Sequence, residues 1–191
     1  MTKATKTETF DNVTIHLMVR DEMPSVYFAL LSVLPYVNHA IIADTGSCDG
    51  TLEHLYMIKA AFPQKKIIIH AEQLKDSTGW SFHRYIEPNV ELARCRQQMI
   101  EETQTDYFWI VDGDEVYSDA AALAAIHAFQ NWQSGTLCCY VPLLWFAHDI
   151  NTLVTRCSPG TYPFTGRLFV TKGTHLTGVF RERCTSIKAT I

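Results

Sequence analysis

Short apolar runs alternate along the chain with segments whose apolar positions recur at helical spacing, and that alternation sets the expected architecture. Val13 to Val19 is a β-rich run. A helix is expected from about Pro24 to Leu34, since Pro24 suits a first turn where its missing N–H costs nothing. Ala40-Ile41-Ile42-Ala43 reads as a buried strand ending at Asp44. The turn from Asp44 to Thr51 leads into Leu52 to Ala61, where Leu52, Leu55, Tyr56 and Lys59-Ala60 recur at helical spacing and Pro63 closes the helix. Lys66 to His70 predicts a third strand, and Val90 to Thr103 a third helix with Leu92, Cys95 and Met99 on one side. Tyr107 to Val111 is a fourth strand. Ser118 is placed to cap a helix running to about Phe129, and Leu137 to Phe146 and Gly166 to Thr171 read as later strands separated by a Gly- and Pro-containing loop.

Strands alternating with helices at this spacing imply parallel crossovers of the usual right hand, so the fold class is α/β. In such an open sheet, ligands bind beyond the carboxyl ends of the strands, near the point where strand order reverses. Three polar segments follow directly after predicted strands: Arg20-Asp21-Glu22, Asp44-Thr45-Gly46-Ser47 and Asp112-Gly113-Asp114-Glu115. All three are therefore expected to meet along one edge of the sheet. The last delivers three carboxylates within four residues, a concentration of charge that favours a cation. If strand geometry persists, Asp112 and Asp114 project the same way, roughly 7 Å apart at Cα. Two such groups can hold one Mg²⁺ or Mn²⁺, together with waters and the phosphate oxygens of a substrate. A solvated acidic turn after a buried strand is the plain alternative.

The 191 residues suffice for one domain with a substantial core, and residues 1–11 read as a flexible tail ahead of a single domain over 12–191. The formal charge of −4, with acids and bases mixed along the chain, offers no basic stripe, so nucleic acid is a poor partner. The apolar run Leu137 to Ala147 contains Pro142 and falls short of the roughly 18 residues a membrane span requires, so no integral membrane segment is expected. Met1 to Glu8 has no apolar segment behind its lysines and is not a secretory signal. The six cysteines form no Cys-x-x-Cys pair, which argues against a disulfide framework or zinc site and for a reducing, cytoplasmic location. Cys138 and Cys139 are expected to pack as small buried hydrophobes on opposite faces of one strand.

The three strand-end segments resemble those of family 2 glycosyltransferases, the inverting enzymes with the GT-A fold. Met18-Val19-Arg20-Asp21-Glu22 is similar to the family's first-strand signature. Ile42 to Thr51 is close to its V-D-T-G-S-T-D-G-T, and Asp112-Gly113-Asp114 matches its Asp-x-Asp. Arg167-Leu168-Phe169 is similar to the R-L-F that opens a late strand, and Arg94 to the arginine of an A-R-N motif, with Cys95 in place of the Asn. The resemblance implies a mixed, mostly parallel sheet, with a nucleotide-sugar-binding half over 12–116 and a short or truncated acceptor-side half over 117–191. It implies a nucleotide-diphosphate sugar donor, a divalent cation held by Asp112 and Asp114, and transfer to an acceptor hydroxyl of a glycan, lipid or protein. Arg20, Glu22, Asp44, Gly46, Ser47, Asp49, Arg94, Asp112 and Gly113 become candidate donor-binding residues. Asp49 is equally well read as an ordinary cap before a helix, and Arg94 as a solvated arginine. The chain carries Asp44-Thr45 where many relatives have two successive aspartates.

Transfer also needs a carboxylate base, and Glu182 and Asp149 are the candidates. Glu182 lies in Gly178-Val179-Phe180-Arg181-Glu182, where Arg replaces the His of related enzymes, and Asp149 follows His148 on the expected acceptor side. Trp80, Phe82 and Tyr85 could stack on a base or sugar or pack as a lid. The chain stops soon after Glu182, which fits a minimal enzyme, a fragment, or a protein that completes its site as a homo-oligomer. Two readings compete. Asp112-Gly113-Asp114-Glu115-Val116 also matches the Asp-x-Asp-x-Val of haloacid-dehalogenase-like phosphatases, and the altered C-terminal region suits a non-catalytic nucleotide-sugar-binding module. A nucleotidyltransferase would need a Gly-rich phosphate loop that the N-terminus lacks.

Overall fold

The computed structural model describes residues 9–71, 87–142, 144, 164–176 and 187–189. The order is β1 (Phe10–Val19), α1 (Ser25–Val33), a 3₁₀ turn (Leu34–Tyr36), β2 (Val37–Asp44), α2 (Thr51–Ala61), β3 (Lys66–Ala71), α3 (Glu87–Glu102), β4 (Tyr107–Asp112) and α4 (Asp119–Gln130). Then follow β5 (Cys138–Pro142), β6 (Phe164–Val170), β7 (Thr174–Leu176) and β8 (Ile187–Ala189). Six strands form one sheet in the order β3-β2-β1-β4-β6-β5, and β7 pairs with β8 separately. β1 to β4 are mutually parallel where they pair, while β6 runs antiparallel to both β4 and β5. This is the mixed, mostly parallel, Rossmann-like α/β sheet expected of a GT-A domain. Strand order reverses at β1, which lies between β2 and β4.

The period of two in β1 accounts for the layers. Val13, Ile15, Leu17 and Val19 face a core shared with Trp109 and Val111 of β4, Leu30 and Val33 of α1, Leu55 and Ile58 of α2, and Ile126 and Phe129 of α4. The opposite face packs on α3: Ile100 lies with Phe108, Ile110 and Phe169, and Met99 with Ile41 and Ala43. Helices therefore cover both faces, which is why the central strands are apolar almost throughout. Ser118 caps α4 as expected, its Oγ accepting from Ala121 N at 3.2 Å. Cys138 and Cys139 do turn to opposite faces, against the second and first clusters, but both are only half-buried because β5 is the outermost strand. Cys48, Cys95, Cys138 and Cys139 form no disulfide. Among the described residues, no helix is long and apolar enough to cross a membrane.

His16 is a structural residue, as its place in a strand implies. It is fully buried on the α3 side, stacked on Phe108 with centroids 4.6 Å apart, and its Nε2 lies 2.7 Å from Thr103 Oγ1. That hydroxyl donates to Met99 O at 2.7 Å, so it accepts from His16, which fixes the tautomer with hydrogen on Nε2 and leaves Nδ1 bare and without a partner. Burial, helped by the nearby Arg96, holds the imidazole well below its ordinary pKa. The unfolded chain therefore binds a proton at a pH where the folded chain does not. Stability is retained above about pH 6.5 and falls by up to ~1.4 kcal/mol per pH unit below it, until the folded pKa is reached. His16→Gln keeps an N–H donor without the titration, so the acid side of its melting-temperature profile should be flatter than that of the wild type.

Candidate active site

The ends of β1 and β2 are bound into one rim. Val19 pairs with Asp44 in register, and Thr45 donates to Val19 O through both its N–H, at 2.9 Å, and its hydroxyl, at 3.0 Å. Beyond this point the chain turns at Asp21, whose φ of 53° is left-handed, a conformation aspartate tolerates better than most residues. Asp21 N donates to Ser47 Oγ at 3.0 Å, and Cys48 N donates to Asp21 Oδ1 at 2.7 Å. Two further bonds close the loop. Glu22 N donates to Thr51 Oγ1 at 3.0 Å, and Met23 N donates to Asp49 Oδ2 at 2.9 Å. Asp44 is 1% exposed, and its Oδ1 accepts from Gly46 N and Ser47 N at 2.9 and 2.8 Å. Its Oδ2 is buried without a hydrogen-bond partner.

The end of β4 meets this rim through Gly113. A Cβ built there would lie 2.9 Å from Val19 Cγ1 and 3.0 Å from Glu22 Cγ, so only glycine lets the acidic segment sit this close to β1. The strand does not continue to Asp114: β4 ends at Asp112 and a turn closes with Glu115 N donating to Asp112 O at 3.0 Å. The relation of Asp112 to Asp114 is thus set by a turn and not by strand alternation, contrary to the sequence-based expectation. Gly113→Ala should cost about 1–3 kcal/mol, as overpacking does, and should separate the two strand ends. Urea denaturation and donor-binding affinity would both register it.

Parity along the strands gathers a charged cluster on the α3 face. Asp112 follows Phe108 and Ile110 on that face, and Arg167 precedes Phe169 by two on the neighbouring β6. Arg167 Nη2 donates to both Asp112 Oδ2 and Glu115 Oε1. Desolvation lowers the Arg167 pKa, but Asp112 and Glu115 outweigh it and hold the guanidinium above its usual value. Half-buried Arg96 of α3 lies close enough to be attracted by Asp112 and repelled by Arg167, and desolvation pushes it down to about 10. The carboxylates crowd one another. Glu22 is raised by burial and by Asp114, against a hydrogen bond from Ser25, with Asp112 and Asp49 adding to the repulsion. Burial also raises Glu115, and the pull of Arg167 only partly offsets it.

Among the described residues, no group of three His, Cys, Asp or Glu side chains could by itself hold a metal ion. The donor set nevertheless fits Mg²⁺ or Mn²⁺, which take one or two carboxylates and complete their shells with water and phosphate. Asp112 is part-exposed and Asp114 exposed, and Glu22 lies against Gly113 between them on the same rim.

Arg20 is half-buried, its Nε 3.8 Å from Asp21 Oδ2. Both oxygens of Asp49 are occupied by protein: Oδ1 accepts from Thr51 N at 3.0 Å and Thr51 Oγ1 at 2.6 Å, and Oδ2 from Met23 N. These bonds outweigh desolvation and hold its pKa down. Arg94 has a side chain 70% exposed and donates to Glu91 Oε2 at 2.6 Å, and no described contact joins it to the cluster. Asp149 and Glu182, like Trp80, Phe82 and Tyr85, lie outside the described residues. Arg96 was not singled out by the sequence, and Asp21, Thr51 and Arg167 only as parts of motifs without a role. The available signal was strand parity, which assigns Arg167 and Asp112 to one face once β4 and β6 are known to pair.

No protein-family model and no curated protein matches the sequence. Among solved structures, the chain is similar to the mannosyltransferase PcManGT from Pyrobaculum calidifontis in complex with GDP-Man and Mn²⁺, at 16% identity and a TM-score of 0.49, over 73% of this chain and 37% of that one. It is similar to TarS of S. aureus at 12% identity and a TM-score of 0.46, over 84% of this chain and 47% of that one. It is also similar to a 4-diphosphocytidyl-2C-methyl-D-erythritol synthase at 13% identity and a TM-score of 0.45, over 85% of this chain and 76% of that one. The chain thus spans less than half the length of the first two. With every TM-score below 0.5, these likenesses carry no inference about activity.

Proposed function

We propose that this chain is a glycosyltransferase that moves a sugar from a nucleotide-diphosphate donor to an acceptor hydroxyl with inversion, with a divalent cation held by Asp112 and Asp114. One observation carries the reading: three segments that separately resemble glycosyltransferase motifs are knit into a single acidic rim at the reversal of strand order, through Thr45 to Val19, Asp21 to Ser47, and Gly113 against Val19 and Glu22. A bound Mg²⁺ or Mn²⁺ would supply the Lewis acidity that stabilises a departing diphosphate. The protein's own contribution is pre-organisation. The buried, unpartnered Asp44 Oδ2 is an acceptor suited to a ribose hydroxyl or a base N–H, in a loop already fixed by its own hydrogen bonds. Asp149 and Glu182 are the proposed acceptor-side bases, and a cytoplasmic location is proposed from the absence of a Cys-x-x-Cys pair in the sequence. A phosphatase reading would need Asp112 as a free nucleophile on the first strand, whereas it ends β4 and gives one oxygen to Arg167.

The test is incubation with UDP-, GDP-, ADP- and dTDP-sugars and Mn²⁺, following donor hydrolysis and transfer. Turnover of at least one donor, lost in the Asp112→Ala/Asp114→Ala variant, is the expected result. No binding or turnover of any donor, with no effect of the double substitution, would sink the proposal.

A further inference from the structure

Arg167 occupies the carboxylate that a metal ion would need. Its side chain is 12% exposed and its Nη2 bridges Asp112 and Glu115, but the two partners differ in kind. Glu115 is 13% exposed and is tied back to the turn by accepting from Asp112 N at 3.4 Å, so it is the fixed anchor. Asp112 is 44% exposed and is the partner a ligand can reach. A divalent cation on Asp112 would stand a few ångströms from the guanidinium, and their repulsion is large enough to weaken metal binding by an order of magnitude or more. Arg96 supplies a second positive charge beside the same carboxylate. Arg167 Nε is buried without a partner, so the guanidinium is not saturated where it stands. Its planar fork matches the oxygens of a phosphate group.

We propose that Arg167 is a partner-switching counter-ion, which neutralises Asp112 in the empty site, opposes a bare divalent cation, and shifts a hydrogen bond from Asp112 to diphosphate when the cation arrives together with a diphosphate. Glu115 remains the pivot throughout. The inference rests on the proposed reading that Asp112 and Asp114 hold the metal. It makes metal and diphosphate binding mutually dependent, since the negative diphosphate removes the repulsion that excludes the lone cation.

Water-proton relaxation enhancement reports protein-bound Mn²⁺ and can be titrated with and without inorganic pyrophosphate. The informative variant is Glu115→Gln/Arg167→Gln, which removes the buried pair as a unit, keeps net charge, and leaves no buried carboxylate unpaired. Wild type should bind Mn²⁺ alone weakly and at least ~10-fold more tightly with pyrophosphate. The double variant should bind Mn²⁺ alone several-fold more tightly than wild type, because Asp112 no longer shares an oxygen with a guanidinium while the loss of the Glu115 charge partly offsets the loss of the Arg167 charge, and it should gain correspondingly less from pyrophosphate. Arg167→Lys, which keeps the charge without the fork, should match wild type for Mn²⁺ alone and lose several-fold of the pyrophosphate effect. Wild-type binding with equal or weaker affinity in the double variant, or an undiminished pyrophosphate effect in Arg167→Lys, would overturn the switch and leave the metal reading standing. If wild type binds no Mn²⁺ under either condition, both readings fall.

Discussion

Asparagine at either Asp112 or Asp114 should lower donor turnover at saturating Mn²⁺ by roughly a thousandfold, the scale on which removal of a group that stabilises developing charge is felt. Each substitution replaces a carboxylate by an isosteric amide, so shape is kept while a hard anionic ligand is lost. At Asp112 the amide oxygen can still accept from Arg167, and Glu115 continues to pair with the guanidinium, so the fold should survive. Exposed Asp114 has still less structural work to lose. Initial rates with and without added Mn²⁺, beside a Glu53→Gln control on the exposed side of α2, would separate a site effect from a general loss of charge. Unchanged rates in both aspartate variants would remove the cation from the account.

Arg167→Met has the largest expected effect on stability. The substitution strips the counter-ion from Glu115, a carboxylate only 13% exposed, and breaking a buried pair on one side typically costs about 3–5 kcal/mol. Removing the second charge should restore most of that loss, because the penalty lies in the stranded carboxylate and not in the missing attraction. Glu115→Gln in the Arg167→Met background is therefore expected to be more stable in urea than Arg167→Met alone. A double variant no more stable than the single one would mean that the arginine's stem packing, and not its charge, holds β6 beside β4.

Periodicity carried most of the architecture. The alternating Val13-to-Val19 run becomes the central strand because its two faces are covered by different layers, and the acidic segment meets the first two strand ends because parallel strands share a carboxyl edge. What periodicity could not carry is spatial pairing between distant segments. Arg167 reaches Asp112 across 55 residues, and nothing near either residue announces the bond. The arginines of α3 show how phase decides what motif matching leaves open. Arg94 aligns with a family motif yet points to solvent beside Glu91, whereas Arg96, two residues and about 200° further round the helix, turns towards β4. Asp49 was legible as either a cap or a ligand, and both of its oxygens prove to clasp the β1 and β2 loops. The turn at Gly113 was hidden because strand geometry was extended to Asp114, two residues beyond the end of β4, where the chain instead turns and Glu115 N closes on Asp112 O.

Anomalous scattering from crystals grown with Mn²⁺ and a nucleoside diphosphate would locate the metal on the protein. If Asp112 and Asp114 hold the cation, one Mn²⁺ peak is expected about 2.2 Å from their carboxylate oxygens and bonded to phosphate oxygen, a distance typical of hard oxygen ligands. A fully occupied peak elsewhere on the protein, or a bound diphosphate remote from the Gly46-Ser47 turn with both aspartates facing solvent, would contradict that placement.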